Sequence, residues 1–342
     1  MRFVYVATCL FATATATAIA AEYSPPVAQY GPLVPGSGVK LALVGDDFED
    51  PQWGYVLNGS KASHEQDEQT RPPGGRSRNG RWYESAKRGH PDVVKRVATP
   101  PGGPAGSRGA MYMATKYSGV PGELSGKQQQ DDLLMSVKGR VGRAVPVAWQ
   151  PSCVVRVYVP EFHRWERRSG SSFGLRGDVH GINREGEGES FWPGMFILHR
   201  PGNARSGQAP YAEIRIRARE DGHDVPGPRI ESPGWWTFGI AFTPDGQVHH
   251  YAKPGLEDLT EADHLYSSFP YGFRCQAFDN FFFNVANLDN GQHWSTPWVV
   301  DNAEFFVVPP KGQTVANLLQ RRSDSGTSQT AQRKSWFGKW HQ

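Results

Sequence analysis

The chain has 342 residues and a formal net charge of +3, a length that admits one large domain with a well-filled core. The charge is too evenly balanced to demand nucleic-acid binding, so no nucleic-acid partner is expected. With 39 Gly, 27 Pro and 12% aromatic residues, the composition favours strands and turns over helices.

The N-terminus predicts a secretory signal over residues 1–20. Arg2 supplies the positive start, residues 3–20 are apolar or small, and Ala18-Ile19-Ala20 suits cleavage before Ala21. No later segment is long and apolar enough to span a membrane. The expected location is therefore secreted, periplasmic or at the cell surface. Cys9 would leave with the signal, and Cys153 and Cys275 remain. In an oxidising compartment this pair allows a disulfide, and the alternative is two buried thiols.

Residues 21–40 are rich in Pro and Gly and read as a linker. Residues 71–110 carry two Pro-Pro-Gly-Gly runs and many cations, the pattern of a long irregular basic loop. Strands are expected at 110–116, 153–159, 171–179, 191–200 and 211–219. Residues 235–242 and 247–252 flank Thr243-Pro244-Asp245-Gly246 and read as a hairpin. Residues 281–287 and 298–308 close the set, and residues 255–264 suit one short helix. The polar, basic residues 310–342 read as a flexible tail. Many strands and few helices predict an all-β, antiparallel β-sandwich with long loops over residues 41–309.

Residues 211–219 alternate sharply. Ala212, Ile214, Ile216 and Ala218 fall on one face of a strand. Tyr211, Glu213, Arg215, Arg217 and Arg219 fall on the other. Arg156 and Tyr158 project from the apolar-backed strand 153–159, and Trp235 is offered by the hairpin. Guanidinium groups pair bidentately with carboxylates, and aromatic faces stack on sugars. Arg156, Tyr158, Glu213, Arg215, Arg217 and Trp235 are therefore the candidate ligand-binding residues, expected to form one groove for an acidic polysaccharide.

Three segments carry a family resemblance: Asp46-Asp47-Phe48-Glu49 with Trp53, residues 235–246 continuing to Tyr251, and Val300-Asp301-Asn302-Ala303-Glu304-Phe305. Together they resemble the concanavalin A-like lectin/glucanase jelly roll, a fold that hosts enzymes, lectins and adhesion modules. The resemblance implies that the first and last strands lie side by side. Asp46, Asp47, Glu49 and Asp301 are then candidate ligands of a structural calcium ion, the only cofactor expected.

The Glu-x-Asp-x-x-Glu motif of laminarinase-type glycosidases is missing, and Glu185, Glu187 and Glu189 alternate with glycines as in a loop. Asp178-Val179-His180-Gly181 is similar to the Gln-x-His-Gly segment of heparin-lyase- and alginate-lyase-type jelly rolls, with Asp178 in place of Gln. Glu213-Ile214-Arg215 is similar to the Glu-x-Arg core of the alginate-lyase motif. This likeness implies His180 as base, Arg215 or Arg217 as carboxylate neutraliser, and Tyr211 or Tyr158 as proton donor. Three readings stand at this point. The first is a secreted carbohydrate-binding protein that recognises an extracellular polysaccharide. The second is a polysaccharide lyase acting by β-elimination on a uronate glycan. The third is a structural cell-envelope protein without glycan affinity.

Overall fold

The computed structural model describes residues 26–69, 71–203 and 205–320. The expected signal, Cys9 and residues 321–342 of the expected tail lie outside the described residues. Two antiparallel sheets face each other. The eight-stranded sheet runs His264–Ser268, Val248–Pro254, Gly234–Phe242, Ser152–Val159, Trp298–Val307, Ala110–Ala114, Val93–Val97. Val39–Asp46 pairs beside the C-terminal half of Trp298–Val307, so the first and last strands do lie side by side. The eleven-stranded sheet runs Asp224–Ile230, Tyr211–Arg217, Gly194–Arg200, Gly170–Ile182, Arg274–Asn287, Gln129–Met135, Trp82–Glu84, Arg76–Ser77, Tyr55–Val56. Two short strands, Gly188–Phe191 and Val145–Pro146, flank its centre. The chain crosses repeatedly between sheets, giving the expected jelly-roll sandwich.

Strand alternation builds the core. Ala212, Ile214 and Ile216 point inward with Phe173, Leu175, Phe281 and Phe283, against Val155, Val157, Phe238, Ile240 and Phe305 of the other sheet. Trp82 stacks on Phe283 at 5.2 Å between centroids. Burial of this aromatic and aliphatic area is the main stabilising term.

Four local expectations change. The strand expected at 191–200 is interrupted at Trp192-Pro193, because proline has no N–H for the ladder. The helix expected at 255–264 is only the 3₁₀ turn Glu261–Asp263. Residues 26–38 pack on the eight-stranded sheet: the Gln29 amide donates to Asp245 and the Gly36 amide to Ser152. The Pro- and Gly-rich 71–110 stretch contributes three strands, Arg76–Ser77, Trp82–Glu84 and Val93–Val97.

The disulfide does not form. Cys153 lies in the eight-stranded sheet and Cys275 in the eleven-stranded one, and both are free and buried. Burial pushes the Cys153 thiol up to about 12 and raises Cys275 as well, so both stay protonated and inert.

A candidate binding groove on the eleven-stranded sheet

Strand register places one row of residues across seven neighbouring strands. Tyr83 opposes Leu134, Leu134 opposes Phe282, Phe282 opposes Arg176, Arg176 opposes Gly194, Gly194 opposes Arg217, and Arg217 opposes Asp224. A second row runs Asp132, Asn284, Gly174, Phe196 and Arg215. All lie on the outer face, because they share parity with the polar side of each strand. Together with Lys87, Arg88, Trp192 and Tyr271, most of them line a groove of about 900 Å³.

Arg176 is central to this groove. Its guanidinium carbon lies 5.3 Å from the Phe196 ring centroid and 5.6 Å from that of Phe282. Its Nε and Nη2 donate to the Trp192 carbonyl at 3.1 and 2.7 Å. Burial lowers its pKa, with the charges of Arg217 and Arg88 adding to the effect. No carboxylate pairs with it among the described residues. Lys87 is similar. Its Nζ stands 3.6 Å from the Trp192 ring centroid, with no ion-pair partner among the described residues. Burial lowers its pKa too. Arg88 differs, since Glu65 pairs with it.

Two other carboxylates of the groove, Asp178 and Asp132, accept from neutral donors. Asp178 accepts from the Trp192 indole at 3.0 Å, and Asp132 from the Asn284 amide at 2.6 Å. Burial raises the pKa of both. Tyr83 presents a hydroxyl without a hydrogen-bond partner among the described residues. Burial raises its pKa, and the nearby charges of Asp178 and Asp279 raise it further. At the far end, the Tyr271 hydroxyl accepts from Arg217 Nη1 at 3.3 Å. Tyr271 holds φ at 61°, a left-handed conformation that costs a non-glycine residue about 1–2 kcal/mol.

The residues expected from sequence are distributed differently. Glu213 takes Arg215 at 2.7 Å and Arg200 at 2.5 Å. Arg217 reaches the groove, but Asp224 neutralises it. Tyr211 lies under Arg229, whose guanidinium carbon is 4.6 Å from its ring centroid. His180 shares the outer face with Arg176 and Asp178 but does not line the groove. Its Nδ1 meets Asp279 at 3.1 Å, and Lys138 approaches the same carboxylate oxygen. That hydrogen bond raises the His180 pKa.

Arg156, Tyr158 and Trp235 sit on the other sheet and share no groove with Arg215. Their strands, Ser152–Val159 and Gly234–Phe242, pair with each other in the eight-stranded sheet. Arg156 is buried and pairs with Glu304 and Asp258. Tyr158 packs on Trp235 at 5.4 Å. The expected single groove is therefore divided between two opposite surfaces.

The calcium expectation does not fit the donor set. Asp46 Oδ2 accepts from the Trp53 and Trp82 indoles at 2.9 and 3.0 Å and from Asn79 at 2.9 Å. Asp47 accepts from the Glu49 amide, Glu49 from the Arg108 and Gly109 amides, and Asp301 from Ser107. Burial pushes Asp301 up to about 6. Among the described residues no group of three or more His, Cys, Asp or Glu is placed to hold a metal ion.

Sequence reasoning missed Arg176, Lys87, Tyr83 and Trp192. Arg176 was within reach, because it has the parity of Asp178 and His180 on one strand. Lys87 lay hidden in the irregular basic stretch.

No protein-family model matches the chain, and no curated protein matches it in sequence. Several solved structures are similar in shape. A carbohydrate esterase from Shiga toxin-encoding bacteriophage phi24B is 11% identical, with a TM-score of 0.41, covering 75% of this chain and all of that one. An alginate lyase from Pseudomonas aeruginosa is 10% identical, with a TM-score of 0.34, covering 64% of this chain and 84% of that one. An endo-β-1,4-glucuronan lyase from Trichoderma reesei is 10% identical, with a TM-score of 0.33, covering 75% of this chain and 98% of that one. Two of these three are polysaccharide lyases by name. Similarity at this level assigns no activity to the chain.

Proposed function

We propose that the protein binds an acidic, uronate-containing polysaccharide in the groove of the eleven-stranded sheet, outside the cell. The observation that supports this most is Arg176. A partly desolvated cation without an acidic partner is costly, and an anionic ligand would offset that cost. Its two aromatic neighbours hold the charge by cation–π attraction without neutralising it. Lys87 over Trp192 repeats the arrangement. A groove crossing adjacent strands also suits an extended polymer better than a compact metabolite. Affinity electrophoresis tests the reading: mobility should fall in gels carrying alginate or polyglucuronate and stay unchanged in gels carrying a neutral glucan. Equal retardation in both would overturn it.

Tyr83 favours a second reading, a polysaccharide lyase. Its phenol is held protonated, has no protein partner, and lines the same groove as Arg176. There Asp178, which lines the same groove, would take the uronate C5 proton, Tyr83 would give its proton to the departing glycosidic oxygen as the C4–O bond breaks, and Arg176 would stabilise the charge developing on the uronate carboxyl group. Tyr83 thus takes the role first given to Tyr211. The test is the ultraviolet absorbance of the unsaturated product on polyuronate. If that absorbance never rises, the protein is a binding module.

A further inference from the structure

A chain of hydrogen bonds runs across the outer face of the eight-stranded sheet, opposite the groove. Asp245 Oδ1 lies 2.6 Å from Thr243 Oγ1, and Thr243 Oγ1 lies 2.9 Å from His249 Nε2. His249 Nδ1 lies 2.7 Å from Ser267 Oγ, and Ser267 Oγ lies 2.7 Å from His264 Nε2. Sheet pairing explains the meeting, since His249 and Ser267 are direct cross-strand partners.

The proton order in this chain follows from one end. Asp245 also accepts from the Gln29 amide at 2.7 Å and from the Gln247 amide. Against the desolvation of burial, these donors keep its carboxyl below the usual range. As a carboxylate it can only accept, so the Thr243 hydroxyl must donate to it. Thr243 oxygen then accepts from His249, which places the imidazole proton on Nε2. Nδ1 is left bare and must accept from the Ser267 hydroxyl. Ser267 oxygen in turn accepts from His264 Nε2–H. Each tautomer is set by its neighbour.

We infer that Ser267 is a nucleophile for carboxylic esters, with His249 as its base and His264 as donor to the oxyanion. Thr243 and Asp245 are positioning residues that hold the His249 tautomer. A serine hydroxyl pointing at a bare imidazole nitrogen, whose other nitrogen is oriented by an acid, is the arrangement that nucleophilic acyl transfer needs. Burial holds His249 down at about 4, so it is a free base at neutral pH. Ser267 and His264 are half-buried on the edge strand His264–Ser268, at the margin of the sheet.

In the reaction, Ser267 Oγ forms a bond to the acyl carbon while its proton passes to His249 Nδ1. His264 Nε2–H turns from Ser267 oxygen to the acyl oxygen as that oxygen gains charge. Collapse breaks the bond between the acyl carbon and the alkoxy oxygen, and the proton on His249 goes to the departing alkoxide. Water then attacks the acyl-serine and gives a proton to His249; the bond between the acyl carbon and Ser267 Oγ breaks, the proton on His249 returns to that oxygen, and the acid is released.

The test is labelling of the full chain by a fluorophosphonate probe, located by peptide mass, with p-nitrophenyl acetate as substrate. The expected result is a label on Ser267 that Ser267→Ala abolishes. His264→Leu, at the partly exposed end of the chain, should keep the melting temperature and react about a hundredfold more slowly. An unlabelled Ser267 on prolonged incubation would overturn the proposal, as would a folded His264→Leu protein that reacts as fast as the natural one. The site lies on the sheet opposite the groove, so neither result bears on polysaccharide binding.

Discussion

Phe196 lies under two arginines of the groove: the guanidinium carbon of Arg176 is 5.3 Å from its ring centroid, and that of Arg217 is 5.2 Å. Asp224 balances Arg217, whereas Arg176 contacts two rings and a carbonyl, makes no ion pair among the described residues, and feels Asp132 only at longer range. One ring therefore supports a neutralised cation and an unneutralised one. The unneutralised one defines where an anion would bind.

Replacing Arg176 with Gln should weaken binding of a polyuronate by about tenfold to a hundredfold, the worth of a charge-assisted hydrogen bond of about 1.5–3 kcal/mol. Arg176→Lys should recover only part of this, because an ammonium lacks the planar fork. Calorimetric titration of the two variants checks the order.

Gly194→Ala should damage the groove through packing. A Cβ at Gly194 would lie 2.6 Å from Arg176 Cγ and would also press on the Leu175 carbonyl oxygen. Overpacking of this kind costs about 1–3 kcal/mol. The expected result is a lower melting temperature together with weaker polyuronate binding, since Arg176 must shift. A variant as stable as the natural protein would contradict the register described for these strands.

The His180–Asp279 contact should leave a pH signature. The folded His180 pKa is raised above 6.5, first by the hydrogen bond that the ring donates to Asp279. The folded protein then holds the proton more tightly than the unfolded chain. The contribution is complete below about pH 6.5 and disappears as pH rises through the raised value. Asp279→Asn should destabilise the protein at about pH 5.5 and have much less effect at about pH 8, as read from urea midpoints.

His250 has the opposite sign. Burial in the core, with the His249 ring beside it, lowers its pKa to about 3. The unfolded chain binds a proton that the folded state refuses, so stability falls as pH drops from about 6.5 toward that value. His250→Leu should remove this loss. The variant should gain more stability at about pH 5 than at about pH 7, and equal gains at both would contradict the assignment.

Much of the fold was legible because alternation is a strong signal. Residues 211–217 and 235–242 read correctly since one parity is apolar and the strand faces a core. Sheet membership was not legible. Arg156 and Arg215 sit on strands of similar pattern, and nothing local says that one strand belongs to each sheet. The groove was hidden for a related reason. Its floor is a row across strands, from Tyr83 to Asp224, and such a row exists only once register is set. The cationic stripe that stood out in sequence proved largely neutralised, because Glu213 and Asp224 come from the same strand and its neighbour. Arg176, with only glycine between it and Asp178, gave a weaker signal and holds the more exceptional position.

The central claim is that Arg176 in the groove receives a uronate carboxylate. It is tested most directly by calorimetric titration with a polyuronate and with the same polymer after its carboxyl groups are reduced to alcohols. The account predicts salt-sensitive binding of the acid form, binding of the reduced form weaker by about tenfold or more, and loss of that preference in Arg176→Gln. Equal affinity for the two polymers, or a preference that survives in Arg176→Gln, would contradict it.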